Sequence, residues 1–397
     1  MRNLREKVLQ DLNPPMLSKR VSSIGITIFS EMSALAHEHG AINLGQGFPD
    51  FDGPDYVREM AEQAMRSGHN QYAIGIGEPV LRQAIATHAQ RFYGQIADPA
   101  SEVTVTCGAT EALFAAMLGL LNPGDEVILL EPCYDAYVAA LAFVDAVPRY
   151  VPLRAPEWTF DPAELAAAFN DRTRMIVVNT PHNPTGRVFS RAELEVIAAL
   201  CQKWNVIAMV DEVYEHLVFD GFAHTRLATL PGMAERTVTV SSFAKSFSFT
   251  GWKVGWALAA PGLSDGIRRA HQYITFAAAT PLQHAAAAAL NMADDYYRQL
   301  AADYQRKRDF LSGVLEEAGY PVTLSGGTYF VMADIRSSGM QDDDAFCRWL
   351  IRERGVAAIP SSALYHPESK SLGLGWARFA FCKQDETLQA AAERLLK

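Results

Sequence analysis

The residue most able to do chemistry in this chain is Lys245. It lies in Ser241-Ser242-Phe243-Ala244-Lys245-Ser246-Phe247-Ser248, a run of hydroxyl and apolar side chains with no second charge. A lysine of ordinary pKa, ~10.4, is a poor nucleophile near neutrality, and an apolar setting lowers that value. Lysines so perturbed form Schiff bases with carbonyl compounds; taken alone, the same residue reads as a solvated surface cation. Lys253 follows eight residues later in Gly251-Trp252-Lys253-Val254-Gly255-Trp256. Two lysines beside a hydroxyl-rich turn suit a phosphate pocket. Gly108-Ala109-Thr110 opens a helix with small residues, whose free N–H groups and Thr110 hydroxyl suit an anion. The same three residues also read as an ordinary strand-to-helix turn. Asn183-Pro184-Thr185-Gly186 is a turn signature that becomes functional only if Asn183 faces a crevice. Asp211, ahead of Glu212-Val213-Tyr214, ends an apolar run and fits a structural or metal-binding role.

These groups stand at the ends of strand-like runs. The runs are Glu102–Thr106, Glu126–Leu130, Met175–Asn179, Val206–Val210, Thr237–Ser241 and Val254–Ala259, with helical patterns near 109–121, 134–144, 162–169 and 190–203 between them. Alternation of this kind predicts an α/β fold with a mostly parallel central sheet flanked by helices. Ligands bind such sheets at the carboxyl ends of the strands, where the polar residues fall. Ser190-Arg191-Ala192-Glu193 is a capping-box signature, and Asp161-Pro162-Ala163-Glu164 opens a helix in the same style. Further helices are expected over 28–38, 55–66, 78–92, 263–275, 295–318, 341–354 and 385–396. Strands are expected at Tyr329–Ala333, Val356–Ile359 and Ala377–Phe381. The expected organisation is an N-terminal arm and part of a small domain (1–45), a large ligand-binding domain (46–290) and a small α+β domain (291–397).

The 397 residues exceed one simple core. A net charge of -10 disfavours nucleic acid and anionic membrane surfaces as partners. The five cysteines are scattered without a C-x-x-C pair, so neither a disulfide framework nor a zinc site is expected. No metal ligand set is read from the sequence. The apolar stretch at Ala285–Leu290 is far short of the ~20 residues of a membrane helix, and the N-terminus lacks a signal-peptide pattern. The expectation is a cytoplasmic protein. G-x-x-x-x-G-K-[ST], Rossmann G-x-G-x-x-G, G-x-S-x-G and H-E-x-x-H motifs are absent.

Asn183-Pro184-Thr185-Gly186, Asp211-Glu212-Val213-Tyr214, Ser242-x-x-Lys245 and Gly251-Trp252-Lys253-Val254-Gly255 together resemble the class I aminotransferases of pyridoxal-phosphate (PLP) fold type I. The resemblance runs from about Ile24 to the C-terminus. Asn43-Leu44-Gly45-Gln46-Gly47-Phe48-Pro49-Asp50-Phe51 and Asn179-Thr180-Pro181-His182 look like the kynurenine aminotransferases, and closest to bacterial methionine aminotransferases. The resemblance implies pyridoxal 5′-phosphate as cofactor, carried by Lys245 as a Schiff base. Once displaced by substrate, Lys245 then moves the substrate α-proton. It implies Asp211 on the pyridinium nitrogen, Tyr214 and Asn183 on the ring oxygen, and Tyr134 stacked on the ring. Gly108, Ala109, Thr110, Ser242 and Lys253 fall at the phosphate, and Tyr72 reaches the phosphate of a neighbouring subunit in a homodimer with shared sites. Many relatives carry arginine where Lys253 stands, so a point charge replaces a planar fork. Arg378 is implied as the clamp on the substrate carboxylate, which Gly47 and Asn183 also meet.

The expected reaction is ping-pong transfer of an α-amino group from an amino acid to a 2-oxo acid. Phe29 stands where relatives place a substrate-facing ring, and Tyr273-Ile274-Thr275-Phe276-Ala277 offers no charge for an acidic side chain. A neutral apolar or aromatic donor such as methionine, phenylalanine, tyrosine or kynurenine is therefore expected. A carbon–sulfur β-lyase would use the same residues, and a PLP-binding regulator that has lost catalysis is the reading from a different class.

Overall fold

A computed structural model describes residues 17–22, 24–340 and 342–397 of the chain. The N-terminal arm reading therefore lies, over residues 1–16, outside the described residues. Strand β1 (Ile42–Asn43) belongs to a small peripheral pairing described below. The main sheet is built from β2 (Val103–Thr106), β3 (Glu126–Glu131), β4 (Val147–Pro152), β5 (Thr173–Asn179), β6 (Ile207–Asp211), β7 (Thr237–Ser242) and β8 (Gly255–Ala259). Its order is β2-β8-β7-β6-β5-β3-β4. Only β8 runs against its neighbours.

The period of two decides which face each residue covers. Ile128, Ile176 and Ala208 point into one core with Leu194 and Ile197 of helix Arg191–Trp204. Val127, Val177 and Met209 point into the other, with Leu113 of helix Gly108–Leu120 and Ile267 of helix Pro261–Ile274. Both faces are thus covered, which is why the strands read as continuous apolar runs. The two helices last named touch through glycine. A Cβ on Gly119 would lie 2.2 Å from the Gly266 carbonyl oxygen, so neither position tolerates a side chain. The capping signatures are realised. Ser190 and Glu193 form a reciprocal capping box, and Asp161 accepts from the N–H groups of Ala163 and Glu164.

The C-terminal region carries a four-stranded sheet of order β12-β13-β10-β9. Its strands are β9 (Val322–Thr323), β10 (Phe330–Asp334), β12 (Ile359–Pro360) and β13 (Trp376–Ala380). β11 (Val356–Ala357) pairs in parallel with β1 instead, so the expected strand at 356–359 divides between two sheets. That pairing, with a bond from Ala380 N–H to the Leu44 carbonyl (2.7 Å), draws the loop 44–48 against β13.

Other departures have local causes. β4 escaped recognition because it lies at the sheet edge, where its outer half alternates exposed and half-buried residues. Helix Thr280–Leu290 was visible only as an apolar stretch, because burial on most sides erases the 3.6-residue period. The helix expected over 341–354 is described as Asp343–Trp349 followed by a wider turn at Leu350–Arg354.

Candidate active site

The carboxyl ends of β2, β3, β5, β6 and β7 meet at one edge of the main sheet, facing β13. There they enclose a cavity of about 460 Å³. It is lined by Gly108, Ala109 and Thr110 after β2, Tyr134 after β3, Asn183 after β5, Asp211 and Tyr214 at β6, and Ser242 and Lys245 at β7. Lys253, from the turn before β8, and Gly47, Phe29 and Arg378 complete the set. Every site residue expected from the sequence lines this one cavity except Tyr72, which is 87% exposed elsewhere on the surface.

Lys245 is half-buried, with Nζ 2.9 Å from the Tyr329 hydroxyl and 3.5 Å from the Gly47 carbonyl oxygen. Burial pulls its pKa down to about 8, with Asp211 nearby opposing part of that effect. An amine so placed is a usable base and nucleophile near neutral pH. Asp211 is 5% exposed. Its Oδ2 accepts from the Tyr137 hydroxyl at 2.7 Å and its Oδ1 from the Val213 N–H at 3.3 Å. Burial raises its pKa, and among the described residues it has no ion-pair partner. A cation brought to it would find an acceptor that the fold has desolvated and aimed.

Arg378 sits mid-strand on β13, 2% exposed. Its Nη1 donates to Asn183 Oδ1 (2.8 Å) and its Nη2 to the Gly45 carbonyl (2.6 Å). The guanidinium lies 4.0 Å from the Phe330 ring centroid and 4.9 Å from that of Phe29. Its Nε makes no hydrogen bond, and burial lowers its pKa to about 10. No carboxylate pairs with it among the described residues, so it is a buried cation waiting for an anion. Asn183 is held in turn, its N–H donating to Asn179 Oδ1 at 2.7 Å.

At the other end, Gly108 takes φ +80°, where a Cβ would crowd the Lys253 side chain at 3.2 Å. A glycine here leaves Lys253 Nζ free to approach the helix N-terminus, and the two together make an anion cradle. Ser242 borders it, but its hydroxyl is committed: Oγ donates to the Val254 carbonyl (2.9 Å) and accepts from Ala244 N–H (3.1 Å). Tyr214 and Tyr134 are enclosed, and burial raises the pKa of both hydroxyls. A lysine able to form an imine, a carboxylate and a guanidinium unpaired among the described residues, and an anion cradle fit a phosphorylated pyridine aldehyde and an amino acid. Tyr137, Asn179 and Tyr329 were not expected as site residues. Tyr137 and Tyr329 reach the site through tertiary contact, with no local motif to mark them, whereas Asn179 ends β5 inside the Asn179-Thr180-Pro181-His182 run.

Cavity and sheet together define a fold type I architecture, and comparison with known proteins gives the family. Residues 39–395 match the family described as aminotransferase class I and II. The solved structure of an N-succinyldiaminopimelate aminotransferase from Mycobacterium tuberculosis superposes with a TM-score of 0.93 at 46% identity, covering 96% of this chain and 99% of that one. The methionine aminotransferase of Escherichia coli is 42% identical over 96% of this chain and 98% of its own length. The kynurenine–oxoglutarate transaminase of Dictyostelium discoideum is 40% identical over 96% of each. The chain belongs to the class I and II aminotransferases and is an aminotransferase. No helix among the described residues is long and apolar enough to cross a membrane.

Proposed function

We propose that the chain binds pyridoxal 5′-phosphate at this cavity and transfers the α-amino group of a neutral apolar or aromatic amino acid to a 2-oxo acid. The observation that carries this reading is the convergence of Lys245, Asp211 and Arg378, three buried or half-buried charges from the short helix after β7, the end of β6 and the middle of β13, on one cavity with no ion pair among them. The cofactor, when bound, supplies the electron sink that lets a proton leave the substrate α-carbon.

The residues then divide the work. Lys245 holds the cofactor and, once released by substrate, moves the proton at the α-carbon; its lowered pKa suits a base near neutral pH. Asp211 keeps the ring nitrogen charged, and the Tyr137 hydroxyl fixes its orientation. Tyr214 and Asn183 donate to the ring oxygen, and Tyr134 covers the ring. Gly108, Ala109, Thr110 and Lys253 hold the phosphate, while Ser242 joins them only by giving up its bond to Val254. Arg378 and Gly47 orient the substrate carboxylate, which selects the bond to be broken. Tyr72 serves the site of a second copy. Its exposure, and that of Tyr273 at 86%, support a homodimer whose interface covers both rings.

The cations lining the cavity among the described residues are Lys245, Lys253 and Arg378. All three have assigned partners, so the side chain of the substrate meets Phe29 and Phe330 rather than a charge. A panel of amino donors tests this with the purified protein and a 2-oxo acid. Methionine, phenylalanine and kynurenine should outperform aspartate and a succinylated diamino diacid. Better turnover of either acid would overturn the neutral-pocket argument. Pyruvate and ammonia released from cystathionine without an acceptor would instead identify a carbon–sulfur lyase.

A further inference from the structure

Tyr329 is fully buried one residue before β10, in the C-terminal sheet region, yet its hydroxyl reaches the lysine carried by the main sheet. Its proton is spoken for, because the hydroxyl donates to the Gly47 carbonyl at 2.5 Å. What it offers Lys245 is therefore a lone pair, at 2.9 Å, with the Gly47 carbonyl as a second and longer acceptor at 3.5 Å. A neutral amine carries two N–H groups and one lone pair. Seated on these two acceptors, it spends both N–H groups and leaves its lone pair for the cavity.

From this arrangement we infer that Tyr329, together with the Gly47 carbonyl, is the cradle that holds the ε-amine of Lys245 whenever that amine is not covalently engaged, and keeps it aimed as a base. The inference rests on the role given to Lys245 above. Tyr329 is in contact with the reacting nitrogen, whereas no family motif quoted for the site includes it. The cradle also joins three parts of the fold, since Gly47 belongs to the N-terminal loop, Tyr329 to the C-terminal region and Lys245 to the short helix Phe243–Phe247 after β7. Its ring is locked edge-on to Tyr214 (5.1 Å between centroids) and to Phe330 (4.8 Å), so the hydroxyl has little freedom to leave. The other groups that set the charge of Lys245 are Asp211, Lys253, Arg378, Tyr214 and Cys382.

The test is Tyr329→Phe, which keeps the ring and removes only the oxygen. The full-length protein is loaded with pyridoxamine phosphate, in which the lysine is free, and Lys245 is acylated across a pH series and quantified by peptide mapping. Losing an acceptor for the ammonium form should move the labelling midpoint to lower pH by about half a unit to one unit. In turnover, kcat should fall about tenfold, the loss expected for one hydrogen bond to a charged group, with KM little changed. Tyr304→Phe removes a neighbouring buried hydroxyl that touches no part of Lys245 and should leave the midpoint where it is. An unmoved midpoint in Tyr329→Phe would overturn the cradle. The same series on cofactor-free protein separates the two readings. If the wild-type chain takes up no pyridoxamine phosphate, the cofactor assignment fails, and the shift between wild type and Tyr329→Phe still judges the cradle.

Discussion

Two clusters of buried charge lie on either side of the β6 and β7 tips, and they differ in what they leave unpaired. Around the cavity, Asp211 and Arg378 have no ionic partners among the described residues, and Lys245 is parked on two oxygens. Just beyond, Glu212, Glu215, His224 and Arg226 close on one another. Arg226 Nε lies 2.9 Å from Glu212, its Nη2 2.5 Å from Glu215, and His224 3.1 Å from Glu212. Ser241 donates to the remaining Glu215 oxygen at 2.6 Å, and His88 meets His216 at 2.7 Å. Perturbation is as strong here as in the cavity. Burial opposes the charge on Glu215, but Arg226, the nearby histidines and the Ser241 hydroxyl together hold the carboxyl well below its usual range, while burial pulls His88 down to about 4. His88, Glu215 and His216 come close enough to hold a metal ion. The carboxylate is already spent on Arg226 and Ser241, however, so the cluster reads as a hydrogen-bonded lock. Shifted pKa values mark both regions; unpaired buried charge facing a cavity marks only the site.

Substitutions can break this contrast. Glu215→Gln removes one of the two carboxylates around Arg226 and leaves Glu212 as its ionic partner, and the account expects a loss of about 1.5–3 kcal/mol in denaturant unfolding with little change in turnover per folded molecule. If activity fell while stability held, the two regions would have to exchange roles. Arg378→Lys should do the reverse, lowering kcat/KM about thirtyfold, within the range for charged hydrogen bonds, at nearly unchanged stability. Tyr137→Phe removes one bond to Asp211 and should weaken cofactor retention about fivefold, measured by equilibrium dialysis. The smallest effect concerns His271, whose Nδ1 faces Glu111 at 2.6 Å and whose Nε2 faces the Gly75 carbonyl at 2.7 Å. Both partners only accept, so the ring is doubly protonated. Burial opposes that charge, yet Glu111 prevails and raises the pKa. A raised folded-state pKa gives stability that is complete below the ordinary histidine value and fades as pH rises through the raised one. His271→Gln should flatten that decline in a urea series from mildly acidic to mildly alkaline pH.

The comparison also explains what the sequence could disclose. Strand-end residues such as Asn183, Asp211 and Lys245 were legible because period and punctuation placed them at the same edge of the sheet. Arg378 was legible only through resemblance, because nothing in Trp376-Ala377-Arg378-Phe379 says which core its strand faces. Tyr137 lies 74 positions from the carboxylate it orients, and Tyr329 lies 84 from its lysine. Contacts of that range leave no trace in spacing. The Ser242 hydroxyl sits where the motif puts it, but the local turn consumes its bonds, a use that only backbone geometry discloses.

The central claim is that Lys245 carries the cofactor. Borohydride reduction of the protein incubated with pyridoxal 5′-phosphate, followed by peptide mapping, tests it directly. The account predicts a phosphopyridoxyl group on Lys245, absent from Lys253 and lost in Lys245→Ala. A reduced adduct found on Lys253 or on surface lysines alone, with Lys245 unmodified, would contradict it.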